Sequence, residues 1–434
     1  MKKGSFFLIH TQAPHNYFSH IFSNGLQVVG QRMPSLSSIT FGMQFGAGTK
    51  DEPTVEYGLA HLMESMMFQG TTSRSVRQLT EAFETLGARK GGSTGTETST
   101  YWCQIVDRQF VPALDLIADV LLEPAFPPAE FEQMRQVSLQ TIRRREDEPM
   151  SRISDLLLEQ FYLGSNLGRR AVGTRESVEA LTPENLRMFW DRLYRPANAL
   201  FAIAGNFDWD QVLGRLDDLF KGWGGAGQPI PPEPPNVANR IVIQHYEGQQ
   251  EHIALAAPSV IIGDPDYYAA QLVSELFGGS MASRLFVEVR EKRGLVYAVS
   301  SRFGSSSVSG RFWLYAGTTP EKAHETMQVM TNELRKLEAE GVTEDELRRA
   351  KVQLKSELVM HAETSSARMG AIAHSWWFEK KLKTIQEIRE AIDAVTREQI
   401  QGLLKRFPVT EPLVVTAIGP CSQEQLTNGL GIKG

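Results

Sequence analysis

Cysteine is scarce in this sequence: 434 residues hold two, Cys103 and Cys421. That excludes a disulfide framework and a zinc site built on thiolates. Long apolar runs are missing too, and no stretch approaches the roughly 18 residues that a spanning helix needs. The opening residues, MKKGSFFLIHTQA, offer only Phe6 to Ile9 as a hydrophobic stretch, short of the roughly 7 to 15 apolar residues of a secretory leader. The cytoplasm is therefore the expected compartment, with the periplasm as the alternative if a leader has been removed. Positive charge is nowhere concentrated: the longest basic run is Arg143-Arg144-Arg145, and 45 Lys and Arg against 51 Asp and Glu leave a formal net charge of −6. Neither nucleic acid nor a membrane span is expected as a partner. Apolar residues, in contrast, make up 41% of the chain, with 22 Phe and 7 Trp. Such a composition supplies large cores and argues against disorder, so a soluble protein of two or three domains is expected.

Proline gathers in one place. The segment GWGGAGQPIPPEPPN (222–236) carries Pro229, Pro231, Pro232, Pro234 and Pro235, which favours a stiff, extended linker. The boundary is placed there, giving an N-terminal domain of residues 1–225, a Pro/Gly-rich linker at 226–236 and a C-terminal domain of 237–434. On either side the chain repeats itself. The run from Leu181, LTPENLRMFWDRLYRPANALFAIAGN, aligns without a gap on the run from Val395, VTREQIQGLLKRFPVTEPLVVTAIGP, pairing Thr182 with Thr396 and Gly205 with Gly419 at an offset of 214. Each copy reads as a Thr-capped amphipathic helix followed by an apolar strand ending in Gly. Pro183 takes the first helical position in one copy, and Gln399 is expected to complete a capping box in the other. A weaker pairing sets LAHLMESMMF over AAQLVSELFG at an offset of 210.

Long helical stretches accompany these units. Glu321 to Glu340 closes on Gly341, and a Thr343/Glu346 capping box opens a helix that runs to about His361. Strands HIALAA (252–257) and GRFWLYAG (310–317) lie beside them. The fold class that follows is α+β: two homologous domains, each a mostly antiparallel sheet covered by helices, joined by the Pro-rich linker.

Within GLAHLMESMMFQGT, His61 and Glu64 stand three apart on one face of an amphipathic helix. A lone H-x-x-E of this kind is common as a surface pair. Its context singles it out, for GLAH, MMFQGT and the preceding FGAGTKDEP together with H-x-x-E resemble the inverted zinc motif region, H-x-x-E-H, of the pitrilysin family of metallopeptidases. The resemblance extends over essentially the whole chain, including its two-half repeat. It implies that two histidines and a later glutamate hold zinc, while the glutamate inside the motif serves as general base. Residue by residue, the first histidine is His61 and the base is Glu64, but Ser65 stands in place of the second histidine. The glutamate ligand's position, 76 residues after Ser65, holds Thr141, and that of its supporting glutamate holds Met134. A neutral hydroxyl is a poor substitute for imidazole or carboxylate, so no metal and no cofactor are expected in this chain. Where the family usually shows an Asn-Ala pair before a substrate-binding strand, this sequence has Gly91 and Gly92, which leaves only main-chain contacts available. The other histidines do not rescue the site: His10, His15 and His20 stand five apart, which is not a one-face helical spacing, and the rest lie in the second half without a second motif.

The second half, in contrast, keeps LFGGSMASRLFVEVREKRGLVYAVSS (276–301). It resembles the family segment in which an arginine and, seven residues later, a tyrosine project from the second domain toward the zinc; these map to Arg290 and Tyr297. A guanidinium and a phenol can donate hydrogen bonds to a substrate carbonyl and to the developing oxyanion. The bland alternative is that Arg290 belongs to a solvated charged stretch and Tyr297 packs in a strand. Gly278 and Gly279 lack the Lys-Ser/Thr of a phosphate loop and suit a turn or a close backbone approach.

Some members of the family consist of two chains of about this size, such as the mitochondrial processing peptidases, one with the zinc motif and one without. The resemblance thus implies a non-metal subunit, inactive alone. It would close over peptide substrates with a zinc-bearing paralogous subunit and present Arg290 and Tyr297 to the partner's zinc. The alternatives are a catalytically inert structural or binding protein of the same fold and a self-sufficient peptidase with replaced ligands.

Overall fold

Residues 99–106 bury every second side chain, as a strand with one face on a core must, with Tyr101, Cys103 and Ile105 as the inward set. In the computed structural model, which describes residues 16–432, this strand is part of a six-stranded sheet formed by the first half. Its members are β1 (Tyr17–Ile21), β2 (Gln27–Arg32), β3 (Ser38–Phe45), β4 (Arg89–Thr94), β5 (Ser99–Val106) and β6 (Ala199–Gly205), in the spatial order β1-β2-β6-β3-β5-β4. The second half forms a five-stranded sheet from β7 (Arg240–His245), β8 (Glu251–Ser259), β9 (Val296–Ser305), β10 (Gly310–Thr318) and β11 (Val414–Gly419), in the order β7-β11-β8-β10-β9. With β1 set aside, the two orders are the same. Each sheet has one parallel pair, β2 with β6 and β7 with β11, and is otherwise antiparallel. The two-domain α+β fold expected from the sequence is the one observed.

The repeated units sit where the sequence repeat puts them. Thr182 caps the helix Pro183–Leu193, Thr396 caps Arg397–Arg406, and Gly205 and Gly419 end β6 and β11. One detail differs from expectation. In the first copy the box is closed by Asn185, whose side-chain oxygen accepts from the Thr182 backbone. In the second, the longer Gln399 side chain donates instead to Asp266 at 2.9 Å, a group at the start of the neighbouring helix Tyr267–Ser274. The helix Pro320–Glu340 ends at Gly341, and Glu344–His361 opens on the Thr343/Glu346 box. Gly278 serves close approach: a Cβ there would lie 2.5 Å from the Ser301 backbone nitrogen on β9.

Each sheet has helices of its own half on one face, and a helix of the other half on the opposite face. The helix Pro149–Phe161 presents Ile153, Leu157 and Phe161, spaced at four residues, to Ala254, Ala256, Tyr315, Val414 and Ile418 of the second sheet. The helix Ser365–Glu379 returns the contact, packing Met369, Ile372 and Ala373 on Val29, Leu200, Ala202 and Ala204 of the first. The two begin 216 residues apart (149 to 365), so the exchange is itself part of the repeat. Alanines on both sheets let the helix axes come close. Polar groups at the second crossing are matched: buried Arg368 donates to Gln31 Oε1 and to the Tyr17 hydroxyl, each at 2.7 Å, and Thr40 and Ser365 share a hydrogen bond of 2.8 Å.

Between the halves, residues 223–239 have neither helix nor strand, and they are stitched to the first half. Lys50 and Asp51, a buried ion pair at 2.8 Å, hold the Ile230 carbonyl and amide respectively, and Asn166 donates to Pro231 O. Among the described residues no helix is long and apolar enough to cross a membrane. Cys103 and Cys421 are free and buried.

Candidate functional site

The helix Leu59–Met66 carries His61, Glu64 and Ser65, and Leu59, Ala60, Leu62, Met63 and Met66 anchor it in the first core. It starts at Gly58, whose φ of 90° is one that residues with a Cβ avoid. Its first amides are received by Glu52, whose Oε1 accepts from Gly58 N at 3.1 Å and Ala60 N at 2.9 Å. Glu52 is fully buried, its Oε2 has no partner, and burial pushes its carboxyl up to about 8. The native state therefore holds it protonated at neutral pH. Because the folded value lies above the ordinary one, this group favours the fold fully below about pH 4.5. The contribution fades as pH rises through 8. We expect stability to urea to fall by an amount on the order of 4 kcal/mol across that window, and Glu52→Gln, neutral at every pH, to flatten the decline. Equal pH dependence in both proteins would contradict this.

His61 is mostly buried, with Nδ1 unpartnered; burial lowers its pKa, opposed by Glu64 and aided by Arg145. Glu64 lies across the edge strand β4: its Oε2 accepts from Thr94 Oγ1 at 2.6 Å, and a Cβ on Gly92 would meet its Cγ at 2.5 Å. A Cβ on Gly91 would meet the Trp102 ring at 2.8 Å. The Gly-Gly pair is thus a steric requirement of its neighbours. Both replacement hydroxyls are turned back on their own helices, Ser65 Oγ donating to His61 O at 3.3 Å and Thr141 Oγ1 to Val137 O at 3.0 Å. Thr141 belongs to the helix Pro128–Asp147, which packs on the motif helix. One turn on, Arg145 places a guanidinium in the field of His61 and pairs with Asp155 at 2.6 Å. Met134 packs against the first core. Among the described residues no three His, Cys, Asp or Glu side chains converge as a metal site. One imidazole, two neutral hydroxyls bonded to backbone and a nearby cation do not fit the zinc that the family resemblance implies. Of the spaced histidines, His20 is exposed on β1, edge-on to Phe22, while His10 and His15 lie outside the described residues.

Arg290 and Tyr297 stand apart from this helix, on the second domain. Arg290 sits in a π-helical turn, Phe286–Glu291, exposed and with its guanidinium 5.0 Å above the Phe286 ring. Of the two acids that flank it within two residues, Glu288 pairs with Lys292 and Arg293, and among the described residues no carboxylate pairs with Arg290. Tyr297 is a bulge residue: Gly317 opposes Ala298 and Thr318 opposes Val296, so Tyr297 is the extra position on β9. A bulge re-aims its side chain, and Tyr297 is 45% exposed at the sheet edge rather than packed in the strand. Its hydroxyl donates to Gln250 Oε1 at 3.0 Å, and its ring lies over Gly317, where a Cβ would come within 2.4 Å. Sequence reasoning did not find Gln250 or Gly317. Alternation along GRFWLYAG does put Tyr315 and Gly317 on one face, a signal available in the sequence.

A duplicated α+β chain with H-x-x-E on a helix beside an edge strand, and an outward arginine and tyrosine on its second domain, has the architecture of inverted-motif metallopeptidases. Comparison with known proteins narrows this to a family. Residues 27–175 match the model described as insulinase (peptidase family M16), and residues 180–354 match the peptidase M16 inactive domain. An uncharacterized zinc protease of Rickettsia felis is 31% identical over 382 residues, 87% of this chain and 91% of that protein. Another, of Bacillus subtilis, is 28% identical over 397 residues, 92% and 97% of the two chains. The crystal structure of a peptidase M16 inactive domain from Pseudomonas fluorescens superposes with a TM-score of 0.88 at 22% identity, covering 94% of this chain and 98% of that one. A protease from Helicobacter pylori gives 0.87 at 20%, covering 93% and 99%. These structures share the fold. The chain belongs to peptidase family M16.

Proposed function

We propose that this chain is the non-metal subunit of a heterodimeric zinc peptidase, inactive alone. In this reading residues 1–225 form a domain that has lost its metal, residues 226–236 are the linker, and residues 237–434 form the domain that presents Arg290 and Tyr297 to a paralogous subunit. Zinc held by that partner supplies the activated water. Arg290 and Tyr297 bind the carbonyl of the scissile peptide and donate hydrogen bonds to the oxyanion that develops on it. The observation that carries the reading is a contrast within one chain. Two of the three ligand positions of the first domain are hydroxyls bonded to their own helices, while the second domain keeps an exposed guanidinium without a carboxylate partner and a phenol re-aimed outward by a bulge.

The test is to purify the chain from its native cell, identify what comes with it, and measure metal content and peptide hydrolysis for each chain and for the pair. A partner with an intact H-x-x-E-H, zinc in that partner only, and hydrolysis by the pair alone are expected. One zinc per copy of this chain, lost on His61→Ala, would overturn the reading. A partner that supplies both the zinc motif and its own arginine and tyrosine would favour the inert structural or binding protein.

A further inference from the structure

Two hairpin tips, one from each half, meet beside the exchanged helices. The turn between β4 and β5 is closed by Gly95 N donating to Thr98 O at 2.8 Å, and that between β9 and β10 by Ser306 N donating to Ser309 O at 2.7 Å. Glu97 of the first tip joins them. Its Oε1 accepts from Ser307 N at 2.9 Å and its Oε2 from the Ser307 hydroxyl. Next to this joint lies a cavity of about 300 Å³ with walls from both halves, a size at the lower end of those that hold small molecules.

Arg311 of β10 lines the cavity. It is half-buried, with its guanidinium 5.5 Å from the centre of the Tyr162 ring. Directly across from it stand Pro258 on β8 and Gly304 on β9, neither of which has a polar side chain. Among the described residues no carboxylate pairs with this guanidinium and no group accepts a hydrogen bond from it. The hydroxyls of Thr96 and Thr98, on the facing tip, likewise have no partner among the described residues. The one acid in the lining is Glu97, and both of its oxygens are turned to Ser307. Buried Leu167 and Tyr162, together with Phe378 of the helix Ser365–Glu379, supply an apolar wall.

A guanidinium offers its donors as a fork that matches a carboxylate two at a time, and leaving such donors half-buried without an acceptor is costly. We propose that this cavity is a binding site for a carboxylate carried on an apolar body about the size of one amino-acid residue. The carboxylate pairs with Arg311 and takes hydrogen bonds from Thr96 and Thr98, while the body lies against Leu167 and Phe378. A single guanidinium beside the charge of Glu97 suits one negative charge better than the two of sulfate or phosphate. Two sources share this chemistry, a small organic acid and the C-terminal residue of a peptide. The site is separate from Tyr297, which stands eight residues from Ser305 on β9, roughly 26 Å of strand. The proposal therefore does not depend on the oxyanion reading.

The experiment is titration calorimetry on the full chain. N-acetyl-leucine is expected to bind once per chain, and N-acetyl-leucinamide, of the same shape but uncharged, at least about tenfold more weakly. Arg311→Gln should reduce the acid to the level of the amide, and Arg311→Lys, which keeps the charge but loses the fork, should weaken it by an intermediate amount. Thermal unfolding reports whether each variant is folded, and the comparison of acid with amide on the unaltered chain needs no variant at all. Acetyl-Ala-Ala-Leu with a free C-terminus separates the two sources: binding at least as tight as that of N-acetyl-leucine supports a peptide C-terminus, and binding of N-acetyl-leucine alone supports a small organic acid. Equal affinity for acid and amide, no binding of the acid at about 10 mM, or unchanged binding by folded Arg311→Gln would overturn the proposal. Sulfate displacing the acid at equal concentration would overturn its preference for a carboxylate on an apolar body.

Discussion

Arg290→Ala and Tyr297→Phe are each expected to depress turnover by the assembled pair about 10²–10³-fold, the usual cost of removing one oxyanion donor. Assembly and the partner's zinc content should be unchanged. Nothing in the surroundings of either group ties it to stability. Arg290 is exposed above Phe286, and the nearby Glu288 is engaged by Lys292 and Arg293. Tyr297→Phe keeps the ring over Gly317 and gives up only hydroxyl contacts at an exposed edge. A surface residue outside any site changes stability by no more than about 0.5 kcal/mol, so loss of turnover in a well-folded pair isolates the chemical role. Hydrolysis rates, with gel filtration and metal analysis on the same samples, decide it. Undiminished activity in both variants, with the complex intact, would favour a structural or binding role.

The second large effect concerns the fold. Phe161→Ala should cost about 3–5 kcal/mol, as truncation of a buried aromatic does, although Phe161 belongs to the first half and the core it fills belongs to the second sheet. Met150→Ala on the same helix, at a position 48% exposed, should cost less than about 0.5 kcal/mol. Because each sheet is covered by a helix from the other half, calorimetry should record one unfolding transition, moved to lower temperature as a whole by Phe161→Ala. Two separate transitions, with only one moved, would show that the halves unfold independently.

Much of this was legible in the residues. The capped helix and strand at Thr182 and Thr396 could be read because caps and periodicity act within a few residues. At Ser65 and Thr141, which the family resemblance marks as ligand positions, the unsuitability for zinc could be read because donor chemistry belongs to the residue itself. Gly91 and Gly92 were legible only as a departure from the family pattern; their reason lies in Trp102 and in Glu64, the latter far off in sequence. Gln399 shows the limit of a local rule, since its long side chain reaches Asp266, which only the tertiary packing of two helices brings near.

By itself, then, the sequence determined the duplication, legible in its repeat, and the α+β elements, which follow from short-range periodicity, while the resemblance to the family marked Ser65 and Thr141 as ligand positions whose side chains suit zinc poorly. Tertiary structure alone decided which sheet each exchanged helix covers, since the stripe Ile153, Leu157 and Phe161 demands an apolar face without specifying whose. It also decided where Tyr297 points. A bulge is a mismatch between two strands, and neither strand carries that mismatch until β9 and β10 are paired.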